Sequence, residues 1–364
     1  MDRTSPHFLL LEPYYGGSHR LFLDGLRRHL PFAFTLISLP ARKWKMRMQL
    51  AAPWFFERIV EYVRSGSRFD GILCSTFLDA AMLKTMLCRE NLPLPLLVYF
   101  HENQFAYPNQ ISDPGAYQFS ALNFTTAVAA DRIAFNSHYN HETFFNGVNA
   151  YLKKATDMNV THLAEVLLSK SQVLYPGIDY GPPGFHEKRA QDAVPVIIWN
   201  HRWEHDKDPK TFFRVLCELS EHGIDFNLIV LGQSFARQPD VFNQARDKLH
   251  EHILHFGYVE DRKEYMRLLQ QGDIVVSTAR HEFFGMAVLE AVRCGCYPVV
   301  PDRLAYRELF PQEYRYDEKG LPVFLARILR QFKPLTSEKA LELTERYSWT
   351  GMAGEYKTWL SAVV

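Results

Sequence analysis

Between Ile274 and Val300 the chain spells out strand, turn, helix, tight turn and strand. Ile274-Val275-Val276 is a short apolar run of the kind buried inside a parallel sheet, and Ser277 and Thr278 begin the turn after it. A helix is predicted from near Gly285 through Ala287, Val288, Leu289, Ala291 and Val292, ending by Gly295. Val299-Val300 then returns to a strand. Such a unit admits few folds, because parallel neighbours need a crossover between them. The free N–H groups at the helix start suit an anion such as a phosphate. Glu282 and Glu290 flank that start, a little over two helical turns apart and on roughly the same side. One carboxylate could accept hydrogen bonds from a sugar and the other from ribose hydroxyls. The plainer alternative is that both only cap and solvate the helix.

A chain of 364 residues favours two domains over one core. Its 41 Lys and Arg balance 41 Asp and Glu, so any nucleic-acid contact must come from a local basic patch. No apolar run approaches the roughly 20 residues needed to span a bilayer, so no membrane partner is expected. The start, MDRTSPHFLLLEPYY, lacks a signal-peptide layout and reads as a first strand. The 5 cysteines are odd in number and scattered, which points to reduced thiols and a cytoplasmic setting. No HExxH or paired ligand spacing occurs among the 15 histidines, so no metal is expected. Gly181-Pro182-Pro183-Gly184 marks a linker over 181–194, separating domains at 1–180 and 195–345.

Along the chain, polar clusters fall where strands end. Phe8 to Leu11 leads into Gly16-Gly17-Ser18-His19 and a helix, a turn that either binds a ligand closely or is simply tight. Leu36 to Leu39 is followed by Arg42, Lys43, Lys45 and Arg47 around Trp44. That set can grip phosphate and stack on a base, or it is a solvated loop before an amphipathic helix. Pro95 to Phe100 ends in His101-Glu102-Asn103-Gln104. In open α/β sheets ligands sit beyond the carboxyl ends of strands, so His101 can meet a sugar hydroxyl with Glu102 orienting it; a loop-capping histidine is the alternative. Asn136-Ser137 closes the next strand, facing a ligand or capping the following helix. Residues 149–169 and 338–360 read as helical. Val196 to Trp199 precedes Arg202 and Lys207, a fork and a point charge suited to a diphosphate, or else ordinary surface charge.

Glu282-Phe283-Phe284-Gly285 with Glu290 resembles the donor motif of retaining GT-B glycosyltransferases of family 4 type. Four longer strings, EPYYGGSH, HENQ-x-x-YP, HRWEHDKDP and HEFFGMAVLEAVRCGCYPV, resemble the tRNA-queuosine mannosyltransferases. The resemblance implies an α/β protein of GT-B type, with two Rossmann-like αβα domains facing a central cleft. It also implies that residues 346–364 return as a helix to the first domain. The implied reaction moves mannose from GDP-mannose, with retention, to a cyclopentenediol hydroxyl of queuosine in the tRNA anticodon loop. It needs no metal and no covalent nucleophile.

By the same resemblance Arg202 and Lys207 would stabilise the departing diphosphate, with N–H groups of Phe284, Gly285 and Met286. Glu290 would hold the ribose, Glu282 and His101 the sugar, and Gly17 and Asn136 would border the donor. Gly16, Ser18, His19, Glu102 and Asn103 would face the acceptor, and Lys43, Trp44, Lys45 and Arg47 the tRNA. The rival expectations are the same fold with another sugar donor or a lipid or glycan acceptor, or an RNA-binding protein without catalysis.

Overall fold

The computed structural model describes residues 5–107, 116–180, 193–233, 240–317 and 319–364. It comprises two units, Met1–Asp179 with Tyr347–Val364, and Tyr180–Arg346. Most of the expected linker, residues 181–192, lies outside the described residues, as does Pro108 of the HENQ-x-x-YP string.

The first unit holds β1 (His7–Tyr15), β2 (Ala33–Pro40), β3 (Gly71–Ser75), β4 (Leu96–Phe100), β5 (Arg132–Phe135) and β6 (Ser171–Val173). All pair in parallel, in the order β2-β1-β3-β4-β5-β6. Every residue of β3 and β4 is buried, as their unbroken apolar runs require when both faces are covered. One face packs on Ala51, Phe55 and Ile59 of the helix Trp44–Arg64. The other packs on Phe22 and Leu26 of the helix Gly17–His29 and on Trp349, Tyr356 and Trp359 of the last helix, Trp349–Ser361. Gly25 and Gly177 make room for the Trp349 indole, which would lie 2.0 Å and 2.3 Å from a Cβ at those positions.

The second unit holds β7 (Val196–Trp199), β8 (Asn227–Leu231), β9 (Ile253–Gly257), β10 (Ile274–Val276), β11 (Tyr297–Pro301) and β12 (Arg315–Tyr316). Their order is β12-β11-β10-β7-β8-β9, again parallel. In each sheet the chain leaves one early strand in both directions: β1 lies between β2 and β3, and β7 between β8 and β10. Loops beyond such a switch point are where this kind of sheet holds ligands.

Two helical readings need correction. The segment 149–169 is two helices, His138–Leu152 and Leu163–Ser169, because Lys153 to His162 is polar, carries Asp157 and Asn159, and offers no apolar stripe. The stretch 338–360 is likewise split into Ser337–Thr344 and Trp349–Ser361. Ser348 starts the second helix by accepting the Gly351 N–H at 3.0 Å. Among the described residues no helix is long and apolar enough to cross a membrane.

Candidate active site

In the second unit the loops after β7 and β10 are knitted together. The strands pair at Ile197↔Ile274 and Ile198↔Val275, so their carboxyl ends emerge side by side. Thr278 Oγ1 donates to the Lys207 carbonyl at 2.8 Å, and Arg280 N–H to the Asp206 carbonyl at 2.8 Å. Lys207 lies in the short 3-10 turn His205–Lys207, and Asp208, with φ 49°, caps the following helix. This geometry swings the Lys207 ammonium inward, where it donates to the His281 carbonyl at 2.7 Å and lies 3.2 Å from both Glu282 and Asp206.

Burial alone would raise the Glu282 pKa, but Lys207, His201 and the Phe284 N–H together bring it to about 2. Burial would likewise lower the Lys207 pKa, and Glu282 and Asp206 reverse that. The site therefore holds a fixed carboxylate and a fixed ammonium. Arg202 is about half exposed, lies 3.1 Å from Glu204, and is close enough for its charge to act against that of Lys207. The helix Met286–Arg293 starts after Gly285, whose φ of 104° suits glycine. A Cβ there would also press on Tyr306 at 3.0 Å.

Glu290 is buried on that helix with both oxygens engaged. Arg262 Nη2 donates to one at 2.5 Å, and Tyr265 Oη to the other at 3.1 Å. Asn200, at the end of β7, donates to the Ala287 carbonyl at 2.7 Å and so holds the helix start against the loop. His201 is 3% exposed, and among the described residues its Nε2 has no partner. Burial, and then Lys207, lower its pKa to about 4, leaving a neutral ring beside the charged pair.

In the first unit the ends of β1, β3 and β4 bring Glu12, Ser75, His101 and Glu102 around His19. His19 Nδ1 faces Glu12 Oε2 at 3.1 Å, and Nε2 faces Glu102 Oε2 at 3.4 Å. The His19 and His101 rings stack with centroids 4.0 Å apart. Burial would lower the His19 pKa, but the two carboxylates carry it up to about 10. Burial and the neighbouring His19 charge hold His101 well below the usual histidine range. Glu12, His19 and His101 offer donor atoms within 4.8 Å of one another. With both His19 nitrogens turned to carboxylates, the ring has no lone pair for a cation, and the contacts read as an ion-paired chain.

Asn136 and Asn103 shape this loop from below. Asn136 donates to the His101 carbonyl at 2.7 Å and accepts from Asn140 at 2.8 Å. Asn103 is fully buried, donates to Asn140 Oδ1 at 2.8 Å, and accepts the Phe105 and Ala106 N–H groups at 3.1 and 3.0 Å. Both amides are thus spent on protein groups. Gly17, with φ 51°, and Ser18 open the helix Gly17–His29 and are exposed; Gly16 is half-buried against Ala41.

Lys43, with φ 54°, precedes the helix Trp44–Arg64. Trp44 packs on Phe77, Tyr107 and Phe119, and the Lys45 ammonium lies 5.6 Å over the Trp44 ring. The patch thus presents the charges of Lys43 and Lys45 beside an anchored indole, with Arg47 half-buried behind them. Sequence reasoning missed Glu12, His201, Asp206, Arg262 and Tyr265. A glutamate ending the apolar run FLLL was the available signal for Glu12, since a buried carboxylate demands partners. Arg262 and Tyr265 gave none, because Glu290 reaches them only through the fold.

Residues 7–178 match the family described as tRNA-queuosine alpha-mannosyltransferase N-terminal, and residues 185–319 match glycosyl transferases group 1. The tRNA-queuosine alpha-mannosyltransferase of Drosophila melanogaster is 35% identical over 331 residues, covering 87% of this chain and 85% of that protein. A GDP-mannose-dependent alpha-(1-6)-phosphatidylinositol dimannoside mannosyltransferase of Mycobacterium tuberculosis is 27% identical over 115 residues, 32% of this chain and 29% of that protein. Among solved structures, Anabaena HepE in complex with UDP superposes with a TM-score of 0.69 at 14% identity, covering 98% of this chain and 100% of that one. That likeness bears on the fold, which is GT-B with two Rossmann-like units. The likeness to the Drosophila protein runs through both units and most of both chains, so this chain belongs to the tRNA-queuosine alpha-mannosyltransferase family.

Proposed function

We propose that the protein transfers mannose from GDP-mannose to a cyclopentenediol hydroxyl of queuosine in tRNA, with retention at the anomeric carbon. The observation that carries this reading is the buried Lys207–Glu282 pair at the switch point of the second sheet. An ionised carboxylate and an ammonium held together at that place suit a sugar and a diphosphate, as catalysis needs and RNA binding alone does not. The Drosophila relative supports queuosine in tRNA as acceptor, and the name of the mycobacterial enzyme supports GDP-mannose as donor.

The steps follow from the charges. Lys207, with Arg202, neutralises the diphosphate as the glycosidic bond to mannose breaks, and N–H groups of Phe284, Gly285 and Met286 at the helix start add to that stabilisation. Glu282, ionised and acceptor-only, takes hydrogen bonds from mannose hydroxyls. Glu290 meets the ribose, which requires Arg262 or Tyr265 to yield one oxygen. His101, neutral, takes a hydrogen bond from a sugar hydroxyl. The acceptor oxygen attacks from the face the diphosphate leaves, and a diphosphate oxygen receives its proton. No side chain needs to form a covalent intermediate. The exposed Lys43 and Lys45, next to Trp44, contribute phosphate contacts with the tRNA.

Glu282→Ala tests the reading. Transfer should fall by about 100-fold or more, with tRNA affinity kept. Transfer at the wild-type rate would remove Glu282, and with it this placement of the sugar.

A further inference from the structure

Glu12 follows the apolar run Phe8 to Leu11 within β1 and is 1% exposed. A carboxylate at such depth is costly unless every lone pair has a partner. Glu12 Oε1 accepts from the Tyr14 N–H at 2.8 Å and from Ser75 Oγ at 3.0 Å, and Oε2 faces His19. His19 is thus shared between two carboxyl groups, and among the described residues Glu102 Oε1 is buried without a partner. Next to it, the His101 ring is wedged by Phe22 at 5.0 Å, Tyr99 at 4.7 Å and His19 at 4.0 Å. At 7% exposure, its nitrogens make no hydrogen bond among the described residues. Two consecutive residues thus hold uncommitted acceptors, and the chemistry that answers them is a hydroxyl donor.

We propose that Glu12 is a positioning residue for the transfer: it clamps His19 against Glu102, and this chain holds the His101 ring and Glu102 Oε1 in place to meet a substrate diol. The proposal deepens the function proposed above and rests on it for the identity of the diol. The groups facing His19 are Glu12 and Tyr14 from β1, Phe77 after β3, and His101 and Glu102 after β4, while Ser75 and Cys74 face Glu12. Only the two carboxylates favour its charged form. Protonating His101 would set two like charges on stacked rings, so the charge on His19 holds its neighbour neutral.

The test is Glu12→Gln in the full chain, which keeps the size of the side chain and can still hydrogen-bond to Tyr14 and Ser75. With GDP-mannose and queuosine tRNA, kcat should fall about tenfold or more. KM for GDP-mannose should move less than kcat does, because Glu12 acts through His101 and the nucleotide and diphosphate are assigned to Lys207, Arg202 and Glu290. Side-chain 15N spectra of the histidines give a readout that simple loosening would not. In the wild type, His19 should remain an imidazolium between pH ~7 and ~9; in the variant it should become neutral within that range.

Unchanged kcat, or a neutral His19 in the wild type at pH ~7, overturns the proposal. If Glu12→Gln does not fold, Glu102→Gln, in the loop after β4, should produce the same change at His19, and its failure to do so counts equally against the chain. Stoichiometric zinc in the purified protein, lost together with activity in Glu12→Gln, would overturn the proposal in favour of a metal centre. If the wild type transfers nothing to tRNA, the assigned function fails, while the 15N arm still decides the clamp.

Discussion

Lys207 and Glu282, 75 positions apart in sequence, meet at 3.2 Å and join the loops that follow two adjacent parallel strands. Each holds the other in its charged form. The pair is a structural tie and, under the proposed function, also the set of charges that meets the diphosphate and the sugar.

Breaking the pair should therefore cost stability and activity together. Lys207→Met leaves Glu282 without its ammonium, and removing one partner of a buried pair costs about 3–5 kcal/mol. The midpoint of chemical denaturation should drop accordingly, and transfer should fall by about 100-fold or more. A variant with wild-type stability and lost transfer would show that the tie is not structural.

The buried histidines set opposite pH limits. His201 is held to about pKa 4 in the fold, against about 6.5 in an unfolded chain, so the unfolded state takes up a proton first as pH falls. Stability should decline from pH ~6.5 to ~4 by an amount on the order of 3 kcal/mol. Glu282, held to about 2, adds a further loss as pH falls from ~4.5 towards that value. His19, raised to about 10, works the other way: its contribution is complete below pH ~6.5 and is lost as pH rises through its folded value. Denaturation curves across this range should peak near pH ~6.5, and His201→Asn should flatten the acid limb alone. An acid limb unchanged by that substitution would exclude His201 as its source.

Charge reversal at Lys43 and Lys45 should weaken tRNA binding and make it less dependent on salt, since each lost phosphate contact lowers the logarithmic salt slope by about 0.9 or less. Affinity for GDP-mannose should not change. Equal salt slopes for wild type and variant would remove the patch from the tRNA interface.

Much of the fold is legible in the chain. Val196–Trp199 and Ile274–Val276 read directly as strands, because fully buried parallel strands are short apolar runs ended by polar residues. The helix after Gly285 is legible from its apolar periodicity and from the glycine before it. The split at Ser348 has a local signal, a serine that caps the next helix, but the backbone bonds of Tyr347 and Trp349 to Ile178 that accompany the break are not written in the sequence. At the site, strand ends single out the loops that carry His101, Lys207 and Glu282, and the structure places all three in loops that follow parallel strands. Whether a polar residue there turns outward or inward is not written locally: Asn103 and Asn136 spend their amides on Asn140 and the His101 carbonyl. Arg262 reaches Glu290 across 28 positions, a pairing that no spacing rule foretells.

The most direct test is to incubate the protein with queuosine-containing tRNA and, separately, GDP-mannose, GDP-glucose, UDP-galactose and UDP-glucose, then digest the tRNA and weigh its nucleosides. One hexose added to queuosine from GDP-mannose alone is the predicted result. A hexose accepted only from another donor, or queuosine left unmodified by all four, would contradict mannosyl transfer to tRNA as the protein's activity.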